Sequence, residues 1–254
     1  MHRPSALGVL IVAAAAAANP RALPFTYPTD SLAKGGVEVE QFVDLTPVRV
    51  EAETPTFQPL AHLITELEIG ITDRLEAGLY WAFNQTPGEQ GRFSFDGILE
   101  RIRYRLADPG AWPVDVALYF ELQQAPDAFE VEGKVLLQRR VGAVTVMVNL
   151  WAEREFFWKG GGVWVLNPTG GFTWQVRPWL HLGLEYWGHV ELDAGAPGFD
   201  EAFHHFLGPA VMLQVGKVWW SFAPYLRLDG FDRGAQVGDS YGRVWVRSVV
   251  GVDI

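Results

Sequence analysis

His62-Leu63-Ile64-Thr65-Glu66-Leu67-Glu68-Ile69-Gly70-Ile71-Thr72-Asp73-Arg74-Leu75-Glu76-Ala77-Gly78-Leu79-Tyr80-Trp81-Ala82-Phe83-Asn84 is the stretch on which the fold turns. Before Asp73, Leu63, Thr65, Leu67, Ile69 and Ile71 alternate with Ile64, Glu66, Glu68, Gly70 and Thr72. After Arg74, Leu75, Ala77, Leu79, Trp81 and Phe83 alternate with Glu76, Gly78, Tyr80, Ala82 and Asn84. Successive side chains of a strand point to opposite faces, so each segment has one oily face and one face of carboxylates, amides and glycine. Asp73-Arg74 is a tight turn between them. Lipid-facing residues that alternate with polar lumen residues are the signature of a transmembrane β-barrel.

The same rhythm continues in both directions. It predicts strands near 37–45, 61–72, 75–84, 94–106, 114–122, 130–139, 143–155, 166–177, 179–190, 206–216, 218–229 and 241–254. Asp73-Arg74, Val141-Gly142, Arg177-Pro178 and Gly216-Lys217 are short turns, and Ala107–Pro113 is a longer one. Between them come longer connections at 46–60, 85–93, 123–129, 156–165, 191–205 and 230–240. Outer-membrane barrels keep short turns in the periplasm and long loops outside. An even number of strands returns the chain to the side it started from. The predicted fold class is therefore all-β: an up-and-down antiparallel transmembrane barrel of about twelve strands.

The ends and the composition agree with that class. His2 and Arg3 precede an apolar run, Ala6 to Ala18, that ends in consecutive alanines. This is the form of a cleaved secretory signal peptide. The expected division is 1–18 signal peptide, 19–36 an extended periplasmic lead-in rich in proline, and 37–254 the barrel. Export to the bacterial outer membrane follows, with the membrane's lipid as the main partner. The chain has no cysteine, which excludes a disulfide framework or a thiolate metal site. Its formal charge is −10, with no basic tract interleaved with aromatics, so nucleic acid is not an expected partner. Oligomeric state is not written in the sequence.

Tryptophan and tyrosine favour the membrane–water interface. Trp81, Phe83 and Tyr186 have outward parity near the loop ends of their strands, and Trp179 and Trp220 near the turn ends. Two residues resist the scheme. Glu100 has outward parity, which a headgroup position or a bulge would relieve. Pro224 falls inside a strand, where it removes a ladder donor.

The inward parity set carries the charge. Hairpin register places Glu68 beside Gly78, Glu66 beside Tyr80, Arg105 opposite Asp115 and Arg103 beside Ala117, with Glu76 near Arg103 or Arg105. The expected lumen lining is Glu66, Glu68, Glu76, Arg101, Arg103, Arg105, Asp115, Glu121, Arg243 and Arg247, with Glu132, Lys134, Glu153, Arg177, His181, Glu185 and Arg227 as further inward candidates. These groups either line a water-filled path that selects by charge or pair across the lumen and seal it. Eight strands leave a filled interior and sixteen an aqueous channel, so twelve leaves both open, and the stretches available as a plug are the lead-in before Val37 and the loop at 191–205. Inward Tyr80, Tyr119, Trp151, Trp187, Trp219, Tyr225 and Trp245 serve equally as stacking surfaces or as filler. No serine has an obvious histidine partner, so no catalytic residue is expected. His204 and His205 with Asp200 and Glu201 resemble a metal cluster, but adjacent histidines on a strand diverge, so neither metal nor cofactor is expected.

Four short motifs add a resemblance: Phe25-Thr26-Tyr27 with Leu32-Ala33-Lys34-Gly35 leading into Val37-Glu38-Val39-Glu40; Glu68-Ile69-Gly70-Ile71-Thr72-Asp73-Arg74-Leu75-Glu76; Leu182-Gly183-Leu184-Glu185-Tyr186; and His205-Phe206-Leu207-Gly208-Pro209. With these the chain resembles proteobacterial outer-membrane barrels of the transporter type, similar to those named after the phenol meta-cleavage pathway. The resemblance implies a barrel and passage of small molecules, and brings no catalytic residues. The function expected from the sequence is a passive, porin-like channel for small polar or aromatic solutes. The alternative is a closed barrel with a charge-filled lumen and a structural or partner-binding role.

Overall fold

The computed structural model describes residues 19–50, 56–85, 92–193, 203–231, 236 and 239–254. The expected signal peptide, together with Pro55, Asp200 and Glu201, lies outside them. Among the described residues thirteen strand segments follow one another: β1 (Val37–Val50), β2 (Thr56–Gly70), β3 (Leu75–Gln85), β4 (Phe93–Arg105), β5 (Asp115–Gln124), β6 (Ala128–Val141), β7 (Val144–Phe157), β8 (Val163–Leu166), β9 (Thr169–Arg177), β10 (Leu180–Asp193), β11 (His204–Val215), β12 (Val218–Arg227) and β13 (Val244–Asp253). β8 and β9 are two parts of one stave, since both pair with β7 on one side and β10 on the other. Pro168, which has no N–H to give the ladder, marks the break. β1 pairs with β2 and with β13, so the sheet closes into a twelve-strand antiparallel barrel.

Alternation decides the two faces. On β1, Glu38, Glu40, Phe42 and Asp44 are buried; on β2, Glu66 and Glu68. The opposite parity is exposed and apolar: Ile102, Leu118, Phe120, Val146, Val148, Leu150, Phe172, Leu182 and Leu184. An outer wall of this composition suits hydrocarbon, and the carboxylates it excludes are turned inward. Trp81, Phe83, Trp179 and Trp220 are exposed on the outer wall. Tyr186 is half-buried there, with its hydroxyl 2.8 Å from His205 Nδ1.

Proline placement corrects several sequence expectations. The connection expected over 46–60 is mostly strand, with Pro47 opposite Pro59. That hairpin rises above its neighbours, whose pairing begins at Leu45↔Val246 and His62↔Asn84, so neither missing N–H interrupts a ladder there. Pro224 is explained by the same device. By register it faces Pro209 across β11–β12, where the ladder is open between Leu207↔Leu226 and Val211↔Phe222. Gly208 lets the Pro224 carbonyl approach, since a Cβ there would lie 2.0 Å from that oxygen. A bulge does occur in β4, at Asp96, but it leaves Glu100 exposed and outward, opposite Leu79 and Leu122.

The long turn at 106–114 shifts one hairpin from its expected register. Arg105 pairs with Ala117 and Arg103 with Tyr119, two residues from the predicted partners. Asp115 instead accepts the Gly110 N–H at 2.6 Å and ties the turn from within. The largest departure is the lead-in. Asn19–Leu32, expected as an extended periplasmic lead-in and as one of two stretches that could plug the lumen, enters the barrel from its turn end and is buried there. Leu23, Phe25, Thr26, Tyr27, Thr29 and Leu32 are all less than a tenth exposed.

Candidate functional site

The lumen falls into two halves. In the half nearer the short turns, inward parity brings together Glu38 and Glu40 from β1, Glu66 and Glu68 from β2, Glu76 from β3, and Arg101 and Arg103 from β4. All are at most 2 % exposed. Arg101 is the hub. Its Nε donates to Glu66 Oε1 at 2.6 Å and to the Tyr80 hydroxyl at 2.7 Å, Nη1 to Glu76 Oε1 at 2.6 Å, and Nη2 to Glu68. Arg103 Nη2 donates to the same Glu76 oxygen at 2.7 Å. Buried carboxylates need charged partners with good geometry, and β4 supplies them to Glu66, Glu68 and Glu76.

Into this half the lead-in inserts as a plug. Arg21 Nη2 lies 2.9 Å from Glu40, 2.8 Å from Glu66 and 3.1 Å from Glu68. The segment forms no strand, so its backbone groups are met by side chains of the wall. Glu185 Oε1 accepts the N–H groups of Phe25 (2.9 Å) and Thr26 (2.6 Å), while its other oxygen takes the Tyr225 hydroxyl. Asn149 accepts from the Tyr27 N–H at 2.7 Å and donates back to the Tyr27 carbonyl at 3.0 Å. Gln138 and Glu76 receive the N–H groups of Thr29 and Leu32, at 3.2 and 2.7 Å. Asn19 Nδ2 donates to the Asp30 carbonyl at 3.0 Å and closes the neck of the loop. Rings complete the fit: Phe25 stacks on Trp187 at 4.8 Å, and the Arg247 guanidinium lies 3.7 Å over Phe25.

The half nearer the long loops is different. A cavity of about 190 Å³ is lined by Glu121, Glu130, Glu132 and Glu153, with Lys134 and Asp96. Its floor includes Tyr27 of the plug and Arg247. A second space of about 420 Å³, lined by Asp44, Thr46, Asn84 and Trp245, adjoins the mouth. On the other side of the plug a cavity of about 410 Å³ is lined by Asn19, Asp30, Gln138, Arg140, Gln175 and Gln214.

The expected lining residues are thus divided. Glu66, Glu68, Glu76, Arg101 and Arg103 share one network. Arg247 pairs with Asp44 at 2.5 Å, and Glu121 bonds Tyr119 on the cavity wall. Arg105 stands at the rim, where Nη2 donates to the Asp73 carbonyl at 2.8 Å, and Asp115 ties the adjacent turn. Arg243 lies at the mouth rather than in the lumen, with Nε donating to the Phe231 carbonyl at 3.1 Å. Arg177 is exposed at its turn. His204 and His205 do point apart: His204 is buried beside Asp229, and His205 faces Tyr186. Sequence reasoning missed Arg21, Glu38, Glu40, Gln138 and Asn149. A signal for the first was present, because Arg21, Leu23, Phe25, Tyr27 and Thr29 occupy alternate positions between Pro20 and Asp30.

No protein-family model matches the chain, and no curated protein matches it. Solved structures do. The COG4313 outer membrane channel from Pseudomonas putida F1 superposes with a TM-score of 0.59 at 10% identity, over 89% of this chain and 98% of that one. The NanC porin superposes with a TM-score of 0.58 at 8% identity, over 86% and 98%. At these identities the likeness is one of fold: the chain has the architecture of outer-membrane channel barrels.

Proposed function

We propose that this chain is an outer-membrane channel for small hydrophilic solutes, exported by residues 1–18, with Asn19–Leu32 as its gate in the closed position. One observation carries the reading. The same segment lines the turn-end cavity through Asn19, Asp30 and Ser31 and the loop-end cavity through Tyr27, so one short piece of chain stands between spaces of about 410 and 190 Å³. It is held by side chains rather than by strand pairing, and can leave without opening the wall. The loop-end lumen has more carboxylates than cations, which biases passage toward cations. The rings expected to guide aromatic solutes, Trp187, Tyr225 and Trp245, pack against Phe25 instead and belong to the seat of the plug.

The test is planar-bilayer conductance of the refolded chain beginning at Asn19, set against a chain beginning at Ala33. The longer chain is expected to stay closed for most of the record, and the shorter one to give steady, cation-preferring steps. Equal conductance from the two would refute the gate. Silence from both, with the barrel shown to be folded, would favour the sealed alternative.

A further inference from the structure

Arg21 occupies what is otherwise a cation site. Its Nη2 nitrogen sits 2.9, 2.8 and 3.1 Å from oxygens of Glu40, Glu66 and Glu68. Oxygens of these three carboxylates lie within 4.8 Å of one another, and all three residues are buried. Carboxylate oxygens converging on one positive point are what a hard divalent cation requires, and here a guanidinium nitrogen stands at that point. A separate observation shows spare capacity. Glu40 Oε1 and Glu68 Oε2 are fully buried and accept no hydrogen bond. Arg101 approaches from the other side, through Glu66 Oε1 and Glu68 Oε1. Removing Arg21 therefore frees Glu40 Oε2 and Glu66 Oε2, which join the already unbonded Glu40 Oε1 and Glu68 Oε2.

Arg21 belongs to the plug, so the site and the gate are coupled. With the plug withdrawn, Glu38, Glu40, Glu66, Glu68 and Glu76 face only Arg101 and Arg103 among the network's own cations. Such an excess of buried negative charge calls for a replacement counter-ion. We propose that Glu40, Glu66 and Glu68 form a divalent-cation site of the calcium or magnesium class, filled by Arg21 when the gate is shut and by the ion when it is open. The site rests on the geometry of the three carboxylates, and only its competition with the gate rests on the channel reading. A cation that binds the open state alone shifts the equilibrium toward it in proportion to its occupancy.

The experiment uses the refolded chain beginning at Asn19 and its Arg21→Ala and Arg21→Gln variants, each checked for the compact barrel by heat-modifiable migration. Ca²⁺ and Mg²⁺ are titrated by calorimetry. Tb³⁺ is titrated by luminescence sensitised through Tyr80 of the wall, whose hydroxyl shares the Arg101 Nε donor with Glu66. The Arg21 variants are expected to bind a divalent ion more tightly than the parent chain, in which Arg21 competes for the site, and the further change Glu40→Gln is expected to abolish that binding. Folded variants without saturable binding, or binding that survives Glu40→Gln, overturn the site. If the variants bind but Ca²⁺ leaves the parent chain's open probability unchanged, the site stands and its competition with the gate falls. If neither Arg21 variant folds, the parent chain decides. Ca²⁺ must then raise its open probability in a manner lost with Glu40→Gln, and indifference to Ca²⁺ overturns the proposal.

Discussion

The two halves of the lumen follow the same alternation, one drawing its charges from β1–β4 and the other mainly from β5–β7, yet they do opposite things with charge. At the turn end, acids and arginines interlock, and Arg101 alone satisfies three carboxylates and a phenol. At the loop end, four glutamates line a cavity whose one lysine, Lys134, reaches Glu132 at 2.6 Å and spends its other faces on the rings of Tyr119 and Trp151. The contrast teaches that inward polarity does not by itself make a pore. What separates the halves is the ratio of cations to carboxylates and the presence of a segment to receive them.

Arg101→Met should break this contrast most severely. The substitution keeps volume but leaves Glu66, Glu68 and Glu76 buried with fewer partners, and removing one member of such a network costs on the order of 3–5 kcal/mol. Urea unfolding from lipid vesicles, followed by tryptophan fluorescence, should show that loss. A stability change below about 1 kcal/mol would mean that the turn end is wet and screened like a surface.

A change of the same kind at the loop end should act on function instead. Glu121→Gln with Glu132→Gln removes two negative charges from the cavity wall and leaves its shape nearly intact. Stability should move by about 1 kcal/mol or less, or rise, because buried carboxylates crowded together repel. Cation preference, read from the reversal potential of the chain beginning at Ala33 under a salt gradient, should fall severalfold. An unchanged reversal potential would place the selective step elsewhere in the lumen.

How much of this was legible in the sequence depends on what fixed each feature. The Glu66–Tyr80 and Glu68–Gly78 neighbours were readable, because a tight turn at Asp73-Arg74 leaves one register for the hairpin. The Arg103 and Arg105 partners were not, because a turn of several residues lets the next strand start two positions later without disturbing the alternation. Pro224 read as an anomaly for the same reason, since its meaning lies in Pro209 on the neighbouring strand. The plug was least legible. Prolines at 20, 24 and 28 break any strand, and the groups that hold its backbone come from Glu185, Asn149 and Gln138, more than a hundred residues away. Local pattern can show that such a segment lacks a strand partner, but it cannot show which distant wall receives it.

The smallest effect is expected at the loop-end rim, and it sharpens the comparison by asking whether charge pins that end at all. Asp229 Oδ1 accepts the His205 N–H at 2.6 Å, while Oδ2 faces His204 Nδ1 at 3.1 Å and Arg227 Nε at 3.3 Å. Burial works against the carboxylate, but the His205 amide, His204 and Arg227 outweigh it and hold the Asp229 carboxyl below its ordinary range. A carboxyl with a depressed pKa in the folded state stabilises above the ordinary aspartate range, and that contribution fades as the pH falls through the folded value. After correction for intrinsic exchange, the His205 amide should therefore be protected at neutral pH and lose protection on acidification. Asp229→Asn should make that protection independent of pH in the acidic range and cost about 1 kcal/mol or less, because the group is partly solvated. Protection that stays flat with pH in the parent chain would mean that backbone pairing alone holds the rim. The loop end would then owe nothing to charge for its shape, and its glutamates would be left with the solute as their only role.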